Sequence, residues 1–529
     1  MSRTVADRIE FDVLDVADLR EPQGVGNPVA EAVAGRAAAG LRTGLVHLGG
    51  SPTELVAPVA SGIRQALDNA AARLVLPHER VRAGVVVIWQ STMLLPAGGV
   101  LSRAGGVLPS VDAGKVVVVG DGGRQDDGIR QTCVTLFGRE PVWQQSPPSI
   151  SELTGQDQPA APPPASHQGG PEPGTILMVS SNGTGMGHLT RLLAYSRKAP
   201  SDIRPYFVSL SQAVPIVAEF GFRYEYVPSA IPTGMAPARW RAYLSRRLAE
   251  AIERLGPRVV VFDGTWAYEA IDDVRARYPD VRWIWSRRGM WYQGMNRDQL
   301  AKAAWFDEVL EPGDFSSPAD RGVTAGSPAV PVGPVTLLDR DEIVSRDEAR
   351  SALGIETDLP IALVTLGAGN INDATSATRI VIDALRKLDL DVCVTVPAIA
   401  EQAGTADEHV RLVSAYPLSR YLRAFDVAVS AAGYNSFHEL LRFGVPTLFL
   451  PNLETSLDDQ RGRARYAASQ GWAHSLDGPE PDSVRAALED LLRNGGSMAA
   501  RVADIDPGNG AAAAMELIAS LVGEGADAR

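Results

Sequence analysis

Short apolar runs recur along this 529-residue chain, separated by stretches in which hydrophobic positions return at helical spacing. That alternation predicts buried strands joined by helical crossovers. Between 175 and 335, the runs 175–180, 204–210, 258–263 and 281–286 read as strands, with a helical pattern at 238–255. Between 336 and 529, the runs 360–366, 391–396, 426–430 and 447–450 read the same way, and so do 44–50, 84–89 and 115–120 near the N-terminus. Ser51-Pro52-Thr53-Glu54 combines a capping box with proline at the first helical position, predicting a helix to about Leu74. Ser345-Arg346-Asp347-Glu348 is a second capping box. Continuous apolar strands with helical crossovers imply parallel sheets covered on both faces, an α/β fold whose ligands bind beyond the carboxyl ends of the strands.

Composition divides the chain. Residues 146–174 hold eight prolines among Gly, Ser and Gln, a polar segment that cannot bury a core and reads as a flexible linker. It separates an N-terminal α/β domain, 1–145, from a C-terminal part. The Pro- and Gly-containing stretch 331–336 divides that part into 175–335 and 336–529, two Rossmann-like halves. No repeat at solenoid spacing is visible. The net charge of −13 argues against nucleic acid as the main partner. Cys133 and Cys393 lie far apart in apolar runs and read as reduced core thiols of a cytoplasmic protein. No run is long and apolar enough to span a bilayer, and the N-terminus lacks the apolar core of a signal peptide.

Candidate chemistry sits where strands end. After the run 426–430 comes Gly433-Tyr434-Asn435-Ser436-Phe437-His438-Glu439, then Gly444-Val445-Pro446, Pro451 and Asp459-Gln460. Asn435 is placed as a helix N-cap, with Gly444 and Pro446 as stop signals. The free N–H groups of such a helix suit a diphosphate. One turn in, the Glu439 carboxylate suits a vicinal diol such as a ribose, and Asp459 with Gln460 suits sugar hydroxyls. The loop Ser180-Ser181-Asn182-Gly183-Thr184-Gly185-Met186-Gly187-His188 follows the first strand of the 175–335 half. Its glycine spacing departs from the dinucleotide fingerprint. His188 is a candidate general base, and Asp263, ending another strand of that half, is the best-placed carboxylate to orient it. Alternatively, Asp263 caps a helix beginning near Thr265. A further glycine loop, Leu366-Gly367-Ala368-Gly369-Asn370, follows the first strand of the second half.

These residues resemble the donor-binding segment of GT-B glycosyltransferases. The 433–460 run is similar to the box of UDP-sugar transferases and to the C-terminal domain of the peptidoglycan N-acetylglucosaminyltransferase family. Tyr434 stands where many members carry Trp, and the loop from Leu453 to Asp458 is slightly longer. The resemblance implies a GT-B fold with a cleft between its halves. It implies that Gly433, Asn435 and Ser436 face phosphate, that Glu439 holds ribose, and that Asp459 with Gln460 reads the sugar. The 180–188 loop resembles the family's acceptor and diphosphate loop, so Asn182, Gly183, Thr184, Gly185 and Gly187 would serve there, with His188 on the family's histidine. Gly367, Gly369 and Asn370 would cradle the α-phosphate, although the family shows two adjacent glycines.

The expected reaction is inverting, metal-independent transfer of a sugar from a nucleotide sugar, UDP-linked and with UDP-N-acetylglucosamine the leading candidate, to an acceptor hydroxyl. No cofactor beyond the donor and no metal site is expected, because none of the Asp-x-Asp strings follows a strand into a pocket position. The acceptor is expected to be a glycan, a lipid-linked molecule or a small molecule. Trp283, Trp285, Trp291 and Tyr292 surround Arg287-Arg288, and the 238–255 helix carries Arg239, Arg241, Arg246, Arg247 and Arg254. That combination suits a phosphorylated or lipid-linked acceptor, or peripheral contact at the inner face of a membrane, or else a Trp-rich core with a solvated helix face. Two rival readings stand beside the transferase: a nucleotide-sugar epimerase of the same architecture, and a nucleotide-sugar-binding protein without catalysis. No family is recognised in the N-terminal domain, whose role stays open between regulation, oligomerisation and a second, degenerate catalytic domain.

Overall fold

Runs of Val and Ile become the strands, and every pairing recorded between two strands is parallel. The computed structural model describes residues 9–19, 26–47, 60–75, 79–90, 109–120, 127–154, 174–181, 186–211, 213–230, 236–366, 374–395, 410–413, 415–455 and 457–523. The chain divides into two compact units, 1–177 with 205–257 and 178–204 with 258–529. This partition differs from the sequence boundaries at 145, 174 and 335. The segment 205–257 keeps company with the N-terminal domain, and a short helix, Ile150–Thr154, occupies the start of the expected linker.

In the first unit, six parallel strands lie in the order Arg73–Leu74, Thr43–His47, Ile9–Ala17, Arg80–Ile88, Ser110–Val119, Pro141–Gln144. Alternate residues pack two opposite cores. Phe11, Leu14, Val86 and Val116 face one, and Val13, Leu45, Val87 and Val117 face the other. The central strand Ile9–Ala17 was not read from the sequence, because its apolar run is broken by Asp12 and Asp15. Asp15 is fully buried, ion-paired with Arg36 and bonded by the Trp89 indole at 2.8 Å. The expected helix start at Ser51–Glu54 lies outside the described residues; the helix described is Ser61–Asp68, N-capped by Ala60, and it ends short of Leu74. Ala70 turns the chain at a φ of 54°, and Arg73–Leu74 then pairs with Gly44–Leu45.

What holds 205–257 to the N-terminal domain is partly ionic. Glu225, on the strand Arg223–Tyr226, is buried against Arg247 at 3.0 Å, with Arg254 and the Tyr206 hydroxyl also on its carboxylate. Burial alone would neutralise it. Instead the guanidiniums of Arg254, Arg247 and Arg80 hold it ionised, down to about 2. Arg80 comes from the N-terminal domain and lies 4.0 Å from Glu250 of the helix Pro237–Leu255. Arg247 and Arg254 of that helix are therefore structural ion partners rather than a free basic face.

In the second unit, the strands Val330–Val332, Glu308–Pro312, Arg282–Ser286 and Val259–Asp263 lie side by side in that order. A separate sheet has the order Val410–Val413, Asp391–Thr395, Ile361–Thr365, Val427–Ser430, Thr447–Phe449, His474–Ser475. In it the order reverses beside Ile361–Thr365, whose other neighbour is Val427–Ser430, and a ligand crevice opens at such a reversal. The Ser345–Glu348 capping box forms as expected. The chain from 336 onward does not stay within one half: its last helix, Ala511–Gly523, packs on the helix Gly187–Ser196 and the strand Val259–Asp263. A backbone clasp also joins the halves. Tyr292 N–H donates to Leu457 O at 2.9 Å, and Asp459 N–H donates to Met290 O at 2.8 Å.

Candidate active site

A cleft of about 690 Å³ lies within the second unit, with His188 and Arg191 on one side and the 433–436 turn on the other. Gly187 and His188 open the helix Gly187–Ser196, whose N-terminus has no side-chain cap. The helix Tyr434–Arg442 likewise starts without a side-chain cap, leaving its first N–H groups to a ligand. Its N-cap is Gly433, not Asn435 as the sequence suggested, since Tyr434 already has helical geometry. Asn435 is thereby released from capping. Its Oδ1 is buried without a hydrogen-bond partner among the described residues, and the residue lines the cleft.

His188 and Asp263 meet. His188 Nδ1 lies 2.7 Å from Asp263 Oδ1, and Asp263 is fully buried. The helix after this strand begins only at Glu269, capped by Tyr268, so Asp263 does not cap it. Three further donors converge on the carboxylate. Arg191 gives Nε to Oδ2 at 3.0 Å and Nη2 to Oδ1, and Ser286 Oγ donates to Oδ2 at 2.7 Å. Burial would protonate Asp263, yet Arg191 and His188 hold it below the usual carboxylate range. Burial lowers His188, Asp263 opposes that, and Arg191 and Arg288 add to the lowering. A neutral imidazole with Nδ1–H on the carboxylate presents Nε2 as a base.

The opposite wall carries the cations. Arg288 lines the cleft and reaches Asp458 at 3.3 Å. Tyr434 lies beneath two guanidiniums, Arg191 at 5.3 Å and Arg288 at 5.8 Å from its ring centre, while its hydroxyl donates to Gly313 O at 2.7 Å. Arg463, fully buried, joins Asp314 at 2.7 Å to Asp458 at 2.8 Å. His438 is also fully buried. It donates from Nδ1 to Tyr434 O at 2.7 Å and accepts Phe315 N–H at 3.2 Å, a structural role.

Other expectations need correction. Asp459 does not line the cleft. It N-caps the helix Gln460–Ser469 by accepting Gly462 N–H at 2.8 Å, and Asp458 takes its place beside Gln460. Gln460 does line the cleft, its Oε1 accepting Asn452 N–H at 3.1 Å. Arg287 is turned inward, bonded to Ser327 at 2.8 Å and Glu311 at 2.9 Å, so Arg288 alone of the pair faces the cleft. Glu439 lies one turn beyond Asn435 but is not among the cleft residues; burial pushes its carboxyl up to about 7 near Ser419 and Leu337. Asn182, Gly183, Thr184, Gly185, Gly367, Gly369 and Asn370 lie outside the described residues. The sequence reading overlooked Arg191, Asp458 and Trp266. Arg191 was findable, because it follows His188 by three residues and shares its helix face.

Residues 402–518 match the glycosyltransferase family 28 C-terminal domain. Two relatives are both named UDP-N-acetylglucosamine–N-acetylmuramyl-(pentapeptide) pyrophosphoryl-undecaprenol N-acetylglucosamine transferase. The one from Bacillus licheniformis is 28% identical over 192 residues, 34% of this chain and 49% of the relative, so the chain spans about half its length. The one from Caldicellulosiruptor saccharolyticus is 22% identical over 347 residues, 60% of this chain and 90% of the relative. Among solved structures, the kitacinnamycin glycosyltransferase is 19% identical, with a TM-score of 0.49 over 66% of this chain and all of that one. Residues 402–518 are thus similar to the glycosyltransferase family 28 C-terminal domain, and the chain is similar to peptidoglycan N-acetylglucosaminyltransferases, as its 433–460 run indicated.

Proposed function

We propose that this protein is an inverting, metal-independent glycosyltransferase that moves a sugar from a UDP-linked donor, UDP-N-acetylglucosamine first among them, to the hydroxyl of a lipid- or phosphate-linked acceptor. The observation that carries this reading is the His188–Asp263 pair, 2.7 Å apart, in the same cleft as the uncapped helix start at 433–436. His188 Nε2 takes the acceptor's hydroxyl proton. The oxygen attacks the anomeric carbon as the bond to the diphosphate breaks, and that electron pair leaves on the phosphate oxygen. The N–H groups of the Tyr434–Arg442 helix, with Arg288, meet the charge that develops. Those N–H groups and that guanidinium support a metal-independent mechanism. Asn435 Oδ1 and Gln460, both on the cleft, take polar groups of the donor. The relatives' names support the UDP-sugar donor and the lipid-linked acceptor.

The deciding experiment pairs binding with turnover. UDP-N-acetylglucosamine is offered to the wild type and to His188→Ala, and both UDP binding and UDP release in the presence of a lipid-diphosphate acceptor are followed. Retained binding with turnover down roughly 10²–10⁴-fold is expected for loss of a general base. Equal turnover by the two proteins, or no binding of UDP by the wild type, overturns the reading. Release of an epimerised sugar nucleotide without acceptor would favour the epimerase.

A further inference from the structure

Arg191 is spent almost entirely on the dyad. It is 3% exposed, and two of its nitrogens go to the two oxygens of Asp263. With His188 Nδ1 and Ser286 Oγ the carboxylate has four donors, which fill the sites an ionised carboxylate offers. The Tyr195 hydroxyl, 3.0 Å from Ser286 Oγ, buttresses the last of them. Arg191 Nη2 also stands 2.9 Å from His188 Nδ1. With the ring proton on Nδ1 and given to Asp263 Oδ1, Nδ1 keeps no lone pair for the Arg191 N–H, so the two donors meet at one oxygen. The guanidinium therefore faces the very ring that must become positive when the proton is taken.

We propose that Arg191 is a positioning residue for His188. It saturates Asp263, fixes the ring proton on Nδ1, and keeps the resting imidazole neutral with its Nε2 lone pair toward the cleft. This role presupposes His188 as the base inferred above. Asp263 alone would favour imidazolium, so a dyad without Arg191 would rest partly protonated and unable to accept the acceptor's proton. The charged groups facing His188 are Asp263 from the neighbouring strand end, Arg191 on its own helix and Arg288 after the strand Arg282–Ser286, with Asp458 behind Arg288. Arg191 therefore offsets Asp263, a balance that no other residue contacting the carboxylate among those described supplies with a positive charge.

The test reads His188 directly, without substrate. Full-length protein labelled with ¹⁵N at histidine is titrated by NMR as wild type, Arg191→Met, Arg191→Lys and Ser286→Ala, each confirmed as folded by its thermal transition. In wild type the Nδ1–H tautomer is expected to persist well into the acid range. In Arg191→Met the His188 titration should move up by about one unit or more, and Arg191→Lys should restore part of the shift. Ser286→Ala, which removes a hydrogen bond but no charge, should move it less than Arg191→Met. An unchanged titration in Arg191→Met, or a wild-type ring protonated on Nε2, overturns the role. If Arg191→Met does not fold, Arg191→Gln against Arg191→Lys decides: equal shifts in the neutral and the charged variant overturn it. Failure of UDP to bind would sink the transferase reading while leaving these titrations interpretable.

Discussion

A single carboxylate, Asp263, organises the chemistry, and another buried one, Glu439, shows the opposite electrostatic outcome. Asp263 is buried among donors and stays charged, whereas burial dominates at Glu439 and pushes its carboxyl up to about 7. That shift has a pH consequence. A folded-state value above the ordinary one favours the protonated form, so the contribution is fully present below about 4.5 and is lost as pH rises through about 7. Glu439→Gln should therefore match the wild-type melting temperature at pH 4.5 and exceed it at pH 8. Parallel melting curves across that range would show that the carboxyl is not held as described. Asp459 and Asp458 teach a related lesson. The sequence put Asp459 on the sugar, but local geometry assigned it to a helix cap and set its neighbour Asp458 against Arg288 and Arg463.

At the scale of elements, the buried ionic cluster around Glu225 binds the helix Pro237–Leu255 to the strand Arg223–Tyr226 and to Arg80 of the N-terminal domain. Removing one partner of a buried pair strands the others. Glu225→Gln leaves Arg247 and Arg254 without their shared counter-charge and should destabilise the protein by about 3–5 kcal/mol, read from chemical denaturation. The acid limb carries the same signature. Because its folded value is lowered to about 2, the stabilisation from Glu225 is present above about 4.5 and is lost as pH falls toward 2. A variant as stable as wild type at neutral pH would show that this cluster is not what joins these elements. The helix starts at Gly187 and Tyr434 obey a different logic. Their stability comes from packed faces, Leu189 to Ser196 and Phe437 to Leu441, which frees their N-terminal groups for a ligand.

Across the whole molecule, the described part of the site lies in the unit formed by 178–204 with 258–529. Ligand that binds the native state alone stabilises it by roughly 2.7 kcal/mol at a hundred times its dissociation constant. UDP at that level should slow amide exchange in Gly187–Ser196 and Tyr434–Arg442, and leave the strands Ile9–Ala17 and Arg80–Ile88 unchanged. Protection confined to the N-terminal strands would move the donor site to the other unit. The backbone clasp between 290–292 and 457–459 fixes part of the cleft wall before any ligand arrives, so Arg288 and Asp458 are already paired in the free protein.

The α/β class, the alternation of parallel strands, the capping box at Ser345 and the 433–460 run with its family resemblance were legible in the sequence, because each depends on residues close together in the chain. The run also named Gln460 and Asn435 as candidates, though not Asn435's place in the helix. Tertiary structure decided what depends on distant partners. It brought Asp263 to His188 across 75 positions, filled the remaining oxygen sites with Arg191 and Ser286, and turned Arg287 inward while leaving Arg288 on the cleft. Charge placement was the least legible feature. Whether an Arg or Asp faces water, a ligand or another buried charge is set by desolvation and by partners that only the packed sheets bring within reach.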